Sequence, residues 1–221
     1  MAIRWNRVAP KVKGTVKTFG RKFKKNHVDF LHESDVQAYL YAVLKKRFWG
    51  RVRVRGNEKM KTSQVHTEVH ARGWGRTESG KPKSDVLDIV VIPEDDCVVL
   101  EKPKKLNESF GEGFYRAKLE DRDKCCGIEI KYNRYGLKNK KRGVKRYNHW
   151  KKHVLKDLKK LTAFRLGIFI FVSNIELGKT TRNQIQSDFK RFVQEQKSNP
   201  REWSNIKFFY CDPRVQRYFS P

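Results

Sequence analysis

The sequence predicts an α/β fold, with a mixed central sheet flanked by helices. Three observations point there. Short apolar or alternating segments suited to strands recur at 51–55, 64–70, 85–92, 97–100, 127–131, 168–172 and 206–210. Segments with apolar residues at helical spacing fall between them, at 29–49, at 150–164 and from Thr180 or Thr181 to Asn199. The longest apolar run, Leu166 to Val172, has the length of a buried strand and is far too short to cross a bilayer.

The elements follow in order. Residues 1–28 hold nine Lys or Arg and no acid, and Pro10, Gly14 and Gly20 interrupt them. They read as a basic N-terminal arm, extended or partly ordered, with Trp5 and Phe19 as points at which it docks. Residues 29–221 then make a single α/β domain, a size that supports a core of its own. Val36, Leu40, Val43, Leu44 and Phe48 form a helical stripe that Gly50 stops. A short basic strand fits Arg51–Arg55. Val65, Thr67 and Val69 alternate with His66, Glu68 and His70, the period of a strand.

Gly73, Gly75, Gly80 and Pro82 lead into the strand Asp85–Ile92, and Cys97–Leu100 suits a further short one. Residues 101–124, mixed in charge and punctuated by Pro103, Gly111 and Gly113, read as an excursion. After the strand Gly127–Lys131 comes a basic loop at about 132–150. A helix from about Trp150 to Phe164 turns Val154, Leu155, Leu158 and Leu161 inward, and the strand Ile168–Val172 follows. The last helix carries Ile185, Phe189, Phe192 and Val193, is capped by Thr180 or Thr181, and stops at Asn199-Pro200. Ile206–Tyr210 is the final strand. No internal repeat is visible.

Charge identifies the class of partner. A formal net charge of +27 draws the chain onto polyanions at physiological pH and predicts steep salt dependence. Ribosomal, chromatin-type and nuclease proteins share that property, so charge says nothing of the reaction. The N-terminus lacks the apolar core of a secretory signal, and no segment suits a membrane span, which leads us to expect a cytoplasmic, nucleic-acid-associated protein. Cys97, Cys125, Cys126 and Cys211 show no CxxC spacing. Zinc is not expected, and reduced thiols are, with one of the adjacent pair serving the core.

Chemistry concentrates at Glu129 and Lys131. In the segment Gly127-Ile128-Glu129-Ile130-Lys131 strand geometry aims both charges at one face and sends Ile128 and Ile130 to the other. A carboxylate and an ammonium on a strand otherwise suited to burial are costly unless they pair or hold a metal. Three further acid-x-Lys triplets, at Asp157, Asp188 and Glu195, lie in segments read as helices, where positions two apart do not share a face. Upstream, Asp88 stands on the apolar strand Asp85–Ile92, and Asp85 has the wrong parity to share its face. Asp88 and Glu129 on adjacent strands would be a minimal carboxylate pair for Mg²⁺, with Mn²⁺ as a substitute.

An Asp at one apolar strand followed by Glu-x-Lys on another resembles the PD-(D/E)XK nuclease superfamily. The resemblance covers roughly residues 29–175 and implies a restriction-endonuclease-like αβββαβ core with an additional C-terminal α-β. It implies Asp88, Glu129 and Lys131 as catalytic residues, the backbone carbonyl of Ile130 as a further metal ligand, and Glu33 or Glu68 as acids that complete the metal site. Lys131 would position the attacking water and offset charge on the phosphorane. The helix segment Asp157-Leu158-Lys159-Lys160-Leu161 resembles one that lies behind the active site with structural duties.

Plainer readings stand beside these. Asp88 would also suit a turn cap, Glu129 and Lys131 an exposed ion pair, and Glu33 a helix N-terminus. His66, Glu68 and His70 would suit a solvent-facing stripe or a transition-metal site. Arg134, Lys138, Lys140, Lys141, Arg142, Lys145 and Arg146, interleaved with aromatics, read as a phosphate-gripping region beside the metal. The expected function is a metal-dependent deoxyribonuclease, an endonuclease acting on DNA, with a homodimer suiting the cutting of both strands. The alternative is a non-catalytic, basic DNA- or RNA-binding protein on a similar fold.

Overall fold

Among the described residues, two helices, a run of seven strands and a closing α-β-α-β-β unit build one mixed sheet with a pair of helices on each face. The structure, a computed structural model, describes residues 2–54, 57–76, 82–93, 97–101, 116–119, 124–133, 143–173, 179–197 and 203–219. The chain opens with α1 (Ala2–Lys25), a 3₁₀ turn at His27–Asp29 and α2 (Glu33–Arg47). Strands β1 (Arg51–Val54), β2 (Asn57–Ser63), β3 (Val65–Arg76), β4 (Pro82–Val91), β5 (Cys97–Glu101), β6 (Arg116–Leu119) and β7 (Cys126–Asn133) follow. Then come α3 (Gly143–Leu161), β8 (Leu166–Ser173), α4 (Lys179–Lys197), β9 (Ile206–Cys211) and β10 (Gln216–Phe219).

Among the described residues the sheet has ten strands, in the order β10-β9-β8-β7-β4-β3-β6-β5-β1-β2. β7, β8 and β9 run parallel, and β4 is antiparallel to both β7 and β3. α3 and α4 are the crossovers of the parallel strands, and such strands are covered on both faces. That is why β8 reads as an unbroken apolar run and is buried throughout. One face packs Phe169, Phe171, Phe208 and Tyr210 against Val154, Leu158 and Leu161 of α3 and Phe189, Phe192 and Val193 of α4. The other packs Ile128, Ile130, Ile168, Ile170 and Val172 against α1 and α2.

The N-terminal segment corrects the sequence reading. Residues 2–25 form a continuous helix rather than an extended or partly ordered arm, and that helix belongs to the core of the domain. Val8, Val12, Val16, Phe19 and Phe23 recur at three- and four-residue intervals and are all buried. Gly20 is a contact and not a break: a Cβ there would stand 2.6 Å from the Phe209 ring. Phe19 and Phe23 meet Phe30, and Phe19 and Phe30 meet Tyr39, in a cluster of tilted and edge-on rings. β2, β6 and β10 are further elements that the sequence reading does not contain, with β6 inside the expected excursion. Cys125, Cys126 and Cys211 are all buried, Cys125 in one core cluster and Cys126 and Cys211 in the other, so both members of the adjacent pair serve the core. No helix of the described residues is long and apolar enough to cross a membrane.

Because α1 covers one face of the sheet, Phe19→Ala should destabilise the protein by about 3–5 kcal/mol in urea unfolding. Arg21→Ala, on the exposed side of the same helix, should change stability by less than about 0.5 kcal/mol. Equal and small effects at both positions would mean that α1 does not pack on the sheet.

Candidate active site

Two neighbouring strands part at the centre of the sheet. β4 and β7 pair at Val91–Cys126, Val90–Gly127 and Ile89–Ile128, and their pairing ends there while β7 runs on to Asn133 beside β8. Two carboxylates occupy the place where ladder partners would stand. Asp88 Oδ2 accepts from the Ile130 amide at 2.6 Å, and Glu33 Oε2 accepts from the Tyr132 amide at 3.0 Å. The N–H and C=O of one strand residue point to the same side, so the Ile130 carbonyl also faces the gap. Gln37 Nε2 donates to the Asp88 carbonyl at 2.8 Å, which fixes the end of β4.

Glu33 reaches β7 because the start of α2 is anchored. Asp35 accepts from the Leu31 and His32 amides at 2.8 and 2.7 Å, which closes the first turn of the helix. The Tyr132 hydroxyl donates to the Phe30 carbonyl at 2.6 Å, joining that turn to the strand. Parity does the rest. Ile128 and Ile130 enter the core beneath α1 and α2, so Glu129 and Lys131 face α3, as do Val90 and Ile92 at the parity of Asp88.

The last turns of α3 come down close on this face. A Cβ on Gly167 would stand 2.9 Å from the Leu161 Cβ, and one on Gly127 would stand 3.0 Å from the Phe164 ring. Asn205 Nδ2 caps the helix end by donating to the carbonyls of Leu161, Thr162 and Phe164. This docking carries Asp157 and Lys160, one turn apart on α3, to the β7 charges. Lys160 Nζ lies 2.6 Å from Glu129 Oε1 and 3.0 Å from Asp157 Oδ1, and donates to the Val86 carbonyl at 3.2 Å. Lys131 Nζ lies 2.7 Å from Asp157 Oδ2. The result is a chain of alternating charge: Glu129, Lys160, Asp157, Lys131.

The electrostatics are those of crowded, half-dry carboxylates. Burial, then the neighbouring Asp88 charge, pushes the Glu129 carboxyl up to about 8 against the pull of Lys160. Burial raises Asp88 to about 6, and Glu33 adds to the rise, while the Ile130 amide works against it. Burial alone would lower Lys160 and Lys131, but the carboxylates around them, Asp157 foremost for Lys131 and Glu129 for Lys160, hold both above the ordinary lysine value. Burial would raise Asp157, and the two lysines outweigh it, so its carboxyl lies below the usual range. Glu129 is 3% exposed, and its Oε2 has no hydrogen-bond partner among the described residues. A buried carboxylate oxygen without a donor, beside a second acid and a free strand edge, is a place that a hard cation fits.

Glu33, Asp88, Glu129, Ile130 and Lys131 thus meet at one place. Glu68 lies on β3, where Thr67 pairs with Ile89 and Val69 with Leu87, which sets Glu68 across from Asp88 on the same face; its side chain is outside the described residues. His66, from the same strand, is half-buried, contacts the Ser63 carbonyl at 2.6 Å through Nε2, and is held below the ordinary histidine range by desolvation. Arg134, Lys138, Lys140, Lys141 and Arg142 lie outside the described residues, as do the side chains of Lys145 and Arg146 in the first turn of α3. Asp157 and Lys160 join the cluster directly, beyond the structural duties expected of their helix. The one signal for Asp157 was its standing as the single acid among thirteen Lys or Arg between 131 and 160. Lys160 is one lysine among many and carried none.

No family model, curated protein or solved structure matches the chain. Among the described residues, no three His, Cys, Asp or Glu side chains are grouped as a ready-made metal cage. The candidate donor set is therefore two carboxylates and a backbone carbonyl, with further acids at its margin.

Without metal, the site should oppose folding as pH rises. The folded chain keeps the Glu129 proton to about pH 8, whereas the unfolded chain releases it near 4.5, so between these values the folded state holds more protons. Stability from this group is greatest below that window and falls as pH climbs through it. In EDTA, Glu129→Gln should remove part of the decline seen between pH 5 and 8 in thermal melts. A wild-type and variant pair with parallel pH profiles would show that Glu129 is not held protonated.

Proposed function

We propose that the chain is a metal-dependent nuclease of the PD-(D/E)XK type that hydrolyses phosphodiester bonds, with DNA as substrate. The observation that carries this reading is the parted β4–β7 edge, where Asp88, Glu129 and the Ile130 carbonyl converge beside Lys131. Asp88 and Glu129 would hold Mg²⁺ or Mn²⁺ together with the Ile130 carbonyl, and Glu33 and Glu68 stand where they could complete the shell. Bound there, the ion would activate water and offset charge on the phosphoryl oxygens. Lys131, released from Asp157 by an arriving phosphate, would orient the water and meet the charge that develops on phosphorus. The water oxygen would give up a proton to solvent and bond to phosphorus as the bond to the leaving sugar oxygen breaks, and that oxygen would take a proton from solvent. The restriction-endonuclease-like core belongs to the same proposal; β7, β8 and the antiparallel β4 support it, flanked by α2 and α3.

The closed charge chain favours a second reading. With Lys131 on Asp157 and Lys160 on Glu129, at 2.7 and 2.6 Å, the same groups make a buried ion network that a non-catalytic nucleic-acid binder could use to hold α3 on the sheet. Plasmid nicking with Mg²⁺, Mn²⁺ or EDTA separates the two. The nuclease reading expects cutting with metal, none in EDTA, and losses of at least about 100-fold in Asp88→Ala, Glu129→Ala and Lys131→Ala. Cutting that survives all three substitutions, or DNA binding with no cutting under either metal, would reject it.

Lys160 gives a second measurement. Its ammonium occupies Glu129 Oε1, so it competes with a divalent ion for that oxygen. Lys160→Gln should bind Mn²⁺ more tightly by calorimetry, on the order of tenfold. Unchanged binding would place Lys160 outside the metal site, and weaker binding would show that it supports the site rather than competing with the ion.

A further inference from the structure

Trp49 is the most exposed large apolar residue described, at 85%, whereas Phe48 beside it is 5% exposed and seals the end of α2. An exposed indole offers a broad, rigid ring face on which a planar group can stack. Its neighbours along the chain are cationic. From Lys45 to Arg53 the chain holds Lys45, Lys46, Arg47, Arg51 and Arg53 and no acid. β1 turns Val52 and Val54 into the core beneath α3 and α4, so Arg51 and Arg53 face the opposite side, where α2 ends.

β2 adds to this surface at a cost to the fold. Lys61 stands directly across from Arg53, and both are exposed. Like charges in opposite register destabilise a sheet. No ion pair to Arg51, Arg53 or Lys61 occurs among the described residues, so the repulsion is not offset within this part of the fold. An anion laid along the strand pair would offset it.

From these observations we infer that the corner formed by Trp49, Arg47, Arg51, Arg53 and Lys61 binds an unpaired nucleic-acid strand. A base stacks on the indole, and the flanking phosphates lie on the guanidinium and ammonium groups. A duplex keeps its bases inside the stack and has no face to offer Trp49, whereas every unpaired base has one. The corner lies at the far end of α2 from Glu33, about 20 Å along the helix axis, which is roughly six base-pair steps. The inference rests on nucleic acid as the partner and not on catalysis, and it makes the substrate one with a single-stranded segment beside the site of cutting.

Fluorescence anisotropy in EDTA tests it, with fluorescein-labelled oligo(dT) and a blunt duplex of equal length. Trp49→Ala should weaken oligo(dT) binding by roughly 5- to 100-fold, leave the duplex within about twofold, and be rescued by Trp49→Phe. Arg53→Gln with Lys61→Gln should lower the salt slope for the single strand by about 1.4, the share of two phosphate contacts. Equal losses on both probes, or no loss on oligo(dT), would overturn the stacking site. Dependence on Trp49 for phosphatidylserine vesicles and not for oligo(dT) would also overturn it, by giving the corner to a membrane surface. If wild type bound neither probe at low salt, the nucleic-acid reading itself would fall, a result distinct from a wild type that binds and a Trp49 variant that binds equally well.

Discussion

The Ile130 amide donates to the Asp88 carboxylate, and much of the central geometry depends on that bond. A strand edge with no neighbour must satisfy its N–H groups in some other way. Here the donors left free past Ile128 are met by acids from β4 and from α2, at 2.6 and 3.0 Å. Those acids are thereby fixed in position at the mouth of the gap. The same local event, two strands drawing apart, both opens the gap and supplies the acids that line it.

The second constraint is the close approach of α3. Glycines at 127 and 167 remove the side chains that would hold the helix off, and Asn205 closes its end, so Asp157 and Lys160 reach the β7 face. The cluster they make alternates two acids with two lysines, with Asp88 and Glu33 at its margin. Such a network is a poor means of stabilising a fold, because desolvation of the ions offsets much of their attraction. Glu129 illustrates the point: its carboxyl is forced upward by burial even with Lys160 in contact, and one of its oxygens has no donor among the described residues. A group that the fold disfavours in its charged form, and leaves half unsatisfied, has more to gain from a cation than a fully bonded one does.

Much of this was legible in the sequence, for reasons that differ between elements. β7 and β8 were readable because strand parity and an apolar run survive any context, and Glu129 and Lys131 therefore face the side that parity requires. Asp88 was readable because Asp85 lies at the opposite parity. The helix α1 was not, because Pro10, Gly14 and Gly20 look like breaks in a chain dense with charge. Its apolar positions, Val8, Val12, Val16, Phe19 and Phe23, keep helical spacing through all three. Tertiary contact explains the glycine at position 20, where the Phe209 ring leaves no room for a side chain. Lys160 was hidden by abundance: with 51 Lys and Arg in the chain, no single lysine stands out until packing brings it to a carboxylate.

The charge of +27 therefore separates into two kinds of lysine and arginine. Lys131 and Lys160 are partly buried, paired, and held above their usual pKa by carboxylates, so they act at close range and are little screened by salt. The cations of α1, of the α2 terminus and of β1 and β2 are largely at the surface, where screening is strong and where a polyanion with its own counterions exchanges most readily. A substrate drawn in by the outer set meets the inner set only if its phosphate can compete with Asp157 for Lys131. Attraction and chemistry then reside in different residues, and a change in ionic strength should act on the first far more than on the second.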